Sequence, residues 1–174
     1  KIDTDGLPKV APNTVDRNFR TGQARSVLST DITYLRSLTG FSYLSAVIDC
    51  ETAEVLAYCI SNSATQDLVL KTYDQLKGYT FSEGIQAQSD QGCQYTGHAY
   101  REKLDALGII QSMSKRACCW DNAPIESFWG RLKEEIGITN NLSHTEIIRL
   151  IDDYIYHYNN ERGQARLGWR TPKE

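Results

Sequence analysis

From Val27 to Leu35 the apolar residues Leu28, Ile32 and Tyr34 alternate with the polar Ser29, Asp31 and Thr33. That is the period of two expected of a half-buried strand, and it places Asp31 on the polar side, pointing away from the core. Ser37 to Gly40 supplies a turn, Phe41 to Ile48 a second β-rich run, Asp49 to Ala53 another turn, and Val55 to Ile60 a third run. Connections this short predict an antiparallel meander. The period then changes. Leu68, Val69, Tyr73 and Leu76 fall on one stripe and predict a helix from Asp67 to Lys77, with Gly78 as its C-cap. Ile85 to Ser89 reads as a brief strand ending at Asp90, and a polar loop, Gln91 to Gly97, leads into a helix carrying Tyr100, Leu104 and Leu107 that Gly108 stops. Ile109 to Met113 is the last predicted strand. Beyond the loop from Ser114 to Trp120, Asp121 or Asn122 can cap a helix whose first turn holds Pro124 and which runs to about Ile136. A final helix is predicted from about Thr145 to Asn159, with Ile147, Ile151, Tyr154, Ile155 and Tyr158 on a broad apolar face.

This order predicts an α/β fold: a mixed five-stranded sheet, an antiparallel three-strand meander plus parallel strands joined by helical crossovers, flanked by helices. Residues 1–26 hold no sustained period and scatter Gly6, Pro8, Pro12 and Gly22, the composition of an arm or linker. Residues 27–160 form the expected core and 161–174 a basic tail. With 174 residues, 40% of them apolar, the chain is long enough to bury roughly 70% of its unfolded surface as one domain.

Charge narrows the functional classes. The balance of 22 acidic against 19 basic residues, net −3, excludes a protein that binds polyanions by bulk charge, so any contact with nucleic acid must be local. Nine of the acids but only four of the bases lie in residues 45–110. Five cysteines, with Cys118 and Cys119 adjacent, suggest neither a disulfide framework nor a zinc pair, and a reducing cytoplasm is the expected compartment. No apolar run approaches the roughly 18 residues of a membrane span, so no membrane partner is expected.

Three carboxylates occupy special positions: Asp31 within a strand, Asp90 at a strand's C-terminal edge, and Glu126 in a helix's first turn. Sheets of this kind place ligands at strand ends. Converging there, the three would repel one another unless cations neutralised them, and hard oxygen ligands with open positions suit Mg²⁺ or Mn²⁺. Such a cage would hold two metals, the arrangement that activates a nucleophile and stabilises the leaving oxygen of a phosphodiester displacement. Asp31 could equally cap or pair, and Glu126 could merely favour the helix N-terminus.

The acids sit within longer strings: Ser29-Thr30-Asp31-Ile32-Thr33-Tyr34, Ser89-Asp90-Gln91-Gly92-Cys93-Gln94-Tyr95-Thr96, and Cys119-Trp120-Asp121-Asn122-Ala123-Pro124-Ile125-Glu126-Ser127-Phe128. Thirty-five residues separate Asp90 from Glu126. With Tyr158-Asn159-Asn160-Glu161-Arg162 and Leu167-Gly168-Trp169-Arg170-Thr171-Pro172, these strings resemble the catalytic domain of bacterial insertion-sequence transposases of the OrfB type, relatives of the retroviral integrase core. The resemblance implies an RNase H-like fold, with Asp31, Asp90 and Glu126 as a DDE triad. That triad would bind two Mg²⁺ or Mn²⁺ ions, cut DNA at the transposon end and join the freed 3′-hydroxyl to another strand. It implies DNA and a homo-oligomer as partners, no small-molecule cofactor, action at the nucleoid of a bacterial cytoplasm, and recognition of the ends by residues upstream of this chain. The sequence departs from the family's pattern at Leu28, Gln88, Ala117 and Gln164, where Trp, His, Gly and His are common.

Glu126, Trp129, Gly130 and Lys133 share one helix face, so Lys133 could reach a phosphate beside the site. Lys115 and Arg116 could clamp DNA from their loop, and Arg162, Arg166 and Arg170, with Lys173, form a candidate electrostatic footprint. Asp121 and Asn122 are expected to cap the helix and thereby orient Glu126. Trp120 and Trp129 read as core or DNA-stacking aromatics. Two other readings of the scaffold are a nuclease that only hydrolyses and a non-catalytic DNA-binding or assembly module.

Overall fold

The computed structural model describes residues 10–116, 118–137 and 141–174; the departure at Ala117 and the first nine residues of the expected arm lie outside them. Strands β1 (Val27–Ser37), β2 (Gly40–Asp49) and β3 (Val55–Ser61) form the antiparallel meander. Helix α1 (Gln66–Asp74) then crosses to β4 (Gln86–Ser89), and α2 (His98–Ala106) to β5 (Ile110–Met113). The sheet order is β3-β2-β1-β4-β5, with β4 parallel to both β1 and β5. Helices α3 (Ala123–Ile136) and α4 (His144–Asn160) follow.

Both faces of the sheet are covered. On one, Tyr73 and Leu76 beside α1's end and Tyr100 and Leu104 of α2 pack on Leu28, Val47, Leu56 and Ala87. On the other, Ile125, Phe128 and Leu132 of α3 and Ile151, Ile155 and Tyr158 of α4 pack on Leu35, Leu44, Ala46 and Ile48. The side of β1 that the alternation marked as polar is therefore not solvent-facing. Asp31 lies on the face packed by α3, and its polar neighbours are buried there because their groups are matched: Ser29 Oγ donates to Asn122 Oδ1 at 2.8 Å. An alternating strand under a helix satisfies its polar side chains internally instead of in water.

Helix α1 stops one turn before the expected Lys77. Its end tightens into i→i+3 hydrogen bonds at Gln75, Leu76 and Lys77, and Gly78 follows at φ +92°. Helix α4 begins in a capping box, Ser143 accepting from Glu146 N while Glu146 returns to Ser143 N. The Ser143-x-x-Glu146 spacing is the sequence signature of that device.

The chain on either side of the core folds back onto it. Residues 10–26 have no helix or strand, yet Val15 is buried with Val27 and Cys50, and Val15 N and Thr14 N both donate to Ser112 Oγ on β5. In the tail, Gln164 and Arg170 form an isolated β-bridge, and Lys173 N donates to Asn159 O. Among the described residues no helix is long and apolar enough to cross a membrane.

Candidate active site

The parallel pairing of β1 and β4 decides where two of the acids meet. Ser29 is opposite Gln88, and two residues further along each path stand Asp31 and Asp90. Adjacent strands run about 4.8 Å apart, so both carboxylates arise from one face at one end of the pair. The third comes from above. Ile125, Phe128 and Leu132 anchor α3 in the core, which leaves Glu126, in its first turn, exposed over the same end. Asp31, Asp90 and Glu126 together line a cavity of about 560 Å³ with Gln91, Ser114, Lys115 and Arg116.

The three acids differ in setting. Asp31 is partly buried, and desolvation raises its pKa from 3.8 to about 6, with the charges of Asp90 and Glu126 adding to the rise. Its own N–H neighbour at Ile32 and the Trp129 indole act the other way. Trp129 Nε1 donates to Asp31 Oδ2 at 3.0 Å, an orienting contact the sequence did not disclose, although Trp129 shares its helix face with Glu126. Asp90 is exposed, and its Oδ1 accepts from Gly92 N at 2.8 Å, which curls the following loop back over the strand end. That turn needs glycine's bareness: a Cβ at Gly92 would lie 2.9 Å from Asp90 Oδ1. Directly below Asp90 on the same face, Gln88 is fully buried with neither amide atom hydrogen-bonded.

Asp121 and Asn122 do not cap α3. A 3₁₀ turn, Cys119–Asn122, runs straight into the helix, and Asn122 makes no capping hydrogen bond because its backbone lacks the extended conformation a cap requires. Asn122 instead holds Ser29, two residues before Asp31. Asp121 is buried and accepts from Arg17 Nε at 2.7 Å, Asn13 Nδ2 at 3.0 Å and Lys115 N at 3.0 Å. Hydrogen bonding from Arg17, then from Lys115 N, draws its carboxyl below the usual range. It thus ties residues 13–17 to the loop that brings Lys115 and Arg116 to the cavity.

The remaining basic residues separate. Lys133 does not line the cavity; its Nζ sits 5.1 Å from the centre of the Tyr34 ring. Arg162 is engaged by Glu135, to which Nε and Nη2 both donate, so it is no free member of a basic patch. Arg166 and Arg170 are exposed and lie away from the three carboxylates. Trp129 is a core aromatic, whereas Trp120 is 69% exposed.

The donor set suits a hard divalent cation: three carboxylates with open positions, whose hydrogen bonds among the described residues come from Trp129 and backbone N–H groups and not from lysine or arginine. Among the described residues, no three such side chains are gathered into a ready cage, so the acids share the cavity without meeting at one point.

Two stretches, residues 22–119 and 107–172, each match the model of the integrase core domain. The chain belongs to the integrase core domain family. This integrase core is 35% identical over 171 residues to the 31 kDa protein of insertion element IS600 from Shigella sonnei, covering 94% of the chain and 61% of the relative. It is 34% identical over 168 residues to a putative transposase, InsK, of insertion sequence element IS150 from Escherichia coli K12, covering 95% and 59%. A transposase-like protein of Haemophilus influenzae is 33% identical, with 94% of the chain and 76% of the relative covered. The chain thus spans about 60% of the length of the first two relatives. Among solved structures it resembles the catalytic core domain of BIV integrase, with a TM-score of 0.64 at 18% identity over 85% of this chain and 91% of that one. It also resembles the HTLV-2 integrase catalytic core domain in complex with magnesium, with a TM-score of 0.67 at 13% identity over 85% and 93%. The fold is that of the retroviral integrase cores, RNase H-like, as the order of strands and helices predicts.

Proposed function

We propose that this integrase core is the catalytic domain of an insertion-sequence transposase, which cleaves DNA at the ends of its element and transfers the freed 3′-hydroxyl to another strand. The observation that carries the reading is the convergence of Asp31, Asp90 and Glu126, with Lys115 and Arg116, on one open cavity in a chain whose relatives include insertion-sequence transposases.

In this reading Asp31, Asp90 and Glu126 hold two Mg²⁺ or Mn²⁺ ions. When bound, these ions supply activation of the attacking hydroxyl and stabilisation of the leaving oxygen. The protein's own part is to place and charge the ligands. Trp129 fixes Asp31's orientation and favours its ionised form, and the Asp90–Gly92 turn fixes Asp90. Lys115 and Arg116 face phosphate oxygens of the bound strand, with Arg116 able to take two at once. Their loop owes its position to Asp121. The DNA partners are the element's ends and the target, engaged by a homo-oligomer that brings two ends together.

The test is strand transfer in Mn²⁺ with pre-cleaved element-end oligonucleotides, comparing the wild-type chain with Asp90→Asn. Joined products that vanish in the variant are expected. Nicking without joining would favour a hydrolytic nuclease, and divalent-metal binding that is the same in both proteins would sink the catalytic assignment.

A further inference from the structure

On the flank of α3 turned away from Glu126 lies a second groove, of about 520 Å³, lined by Arg17, Arg20, Arg131 and Arg166 and by Pro124 and Ser127 from the helix's first turns. Among the described residues no carboxylate lines it. In a chain of net charge −3 this is an exceptional concentration of one sign, assembled from three separate segments: residues 17–20, α3 and the tail.

The four arginines are unequally satisfied. Arg17 is spent on Asp121, and Arg20 makes a 3.5 Å ion pair with Glu51, which lines the adjoining pocket that Arg20 and Arg166 share. Arg131 donates Nη1 to the neutral carboxamide of Gln164 at 3.3 Å. Arg166 has no hydrogen bond or ion pair among the described residues. Exposed as a residue yet with its guanidinium crowded, it is drawn below the usual arginine value by desolvation and then by repulsion from Arg131 and Arg20. Arg131 and Arg166 have no carboxylate partner among the described residues, so the positive charge gathered at this hollow favours entry of an anion. The N-terminal end of α3 adds positive partial charge at the same place.

We propose that the Arg20–Arg131–Arg166 groove binds backbone phosphates of the same DNA whose scissile bond lies at Asp31, Asp90 and Glu126. The inference rests on the transposase reading given above. The two sites occupy opposite flanks of one helix, roughly 10–12 Å apart. At about 3.4 Å of duplex axis per phosphate along a strand, a strand leaving the catalytic cavity crosses the start of α3 and reaches the groove about three phosphates later. Guanidinium forks suit phosphate oxygens in a way that lysines would not. The groove therefore fixes which way the duplex departs from the site and contributes affinity without reading sequence.

The experiment is fluorescence-anisotropy binding of a labelled 30-base-pair duplex to the 174-residue chain in EDTA across a salt series. Each phosphate contact contributes about 0.9 to the slope of log K against log salt. The double variant Arg20→Gln/Arg131→Gln is expected to lower the wild-type slope by about 1.8, and Arg20→Gln alone, at an exposed and irregular position, by about 0.9. Lys71→Gln, which removes one charge from α1 on the sheet's opposite side, should leave the slope unchanged. Thermal melting of each variant separates lost contacts from lost fold. A slope retained in both arginine variants while wild type binds would overturn the groove and leave the catalytic reading standing. An equal fall in Lys71→Gln would show that net charge alone is responsible and would also overturn it. Wild-type protein that does not bind the duplex at all would overturn the groove, and the strand-transfer comparison with Asp90→Asn then decides the catalytic reading by itself.

Discussion

Asp31→Asn should abolish DNA joining and yet make the protein more stable at neutral pH. Burial raises the pKa of Asp31 from 3.8 to about 6, so the folded state holds this proton more tightly than the unfolded chain does. The stability this group contributes is complete below pH 3.8, is lost as pH climbs toward 6, and is absent above that. At about 1.4 kcal/mol for each pH unit of displacement, the loss is on the order of 3 kcal/mol. Asparagine does not ionise and escapes it, while its Oδ1 can still accept from Trp129; its unpaired amide offsets part of the gain. Urea unfolding in EDTA should therefore find Asp31→Asn more stable than wild type by roughly 1–3 kcal/mol at pH 7, with the gap closing toward pH 4. Millimolar Mn²⁺ should narrow the gap at pH 7, because a cation that binds only the folded wild type stabilises it by mass action. A variant no more stable than wild type at pH 7, or a gap independent of pH, would refute the idea that an ionised Asp31 is held at a cost.

Other substitutions test other supports. Trp129→Phe removes the indole donor that favours the ionised form of Asp31; the acidic limb of joining activity should move to higher pH and the Mn²⁺ requirement rise by about 10–100-fold, whereas a purely structural defect would lower the rate without moving the limb. Asp121→Ala orphans Asn13, Arg17 and Lys115 N and should cost on the order of 2–4 kcal/mol in urea unfolding, with residues 10–26 becoming the first site of limited proteolysis. Gly92→Ala drives a methyl group toward Asp90 Oδ1, so joining should fall at least tenfold in an activity assay while the melting temperature changes little.

The period-two and helical stripes located every strand and long helix to within a few residues, since each element buries a face whose apolar spacing is local information. They did not tell that the Ser29, Asp31 and Thr33 side of β1 is covered, because whether a polar face meets water or a helix depends on α3, about ninety residues away. The acids were legible as candidates for a related reason: Asp31 within β1, Asp90 just past β4 and Glu126 in the first turn of α3 stand where the topology gathers them around one cavity. Their supports were not. The Trp129 indole bond to Asp31 depends on a rotamer, and the clasp on Asp121 joins residues more than a hundred positions apart. Arg162 looked free in the sequence because Glu135, which engages it, lies 27 residues earlier in α3 while Arg162 stands in the tail past α4.

The carboxylate of Asp121 makes residues 13–17 and the Lys115–Arg116 loop mechanically one piece. Whatever lifts the first from the domain slackens the second, and free energy linkage runs equally in reverse: if Lys115 and Arg116 clamp DNA as proposed, the bound duplex makes the segment harder to lift. A partner that seizes the segment and a duplex that occupies the cavity are therefore antagonists, although they need share no atom of contact.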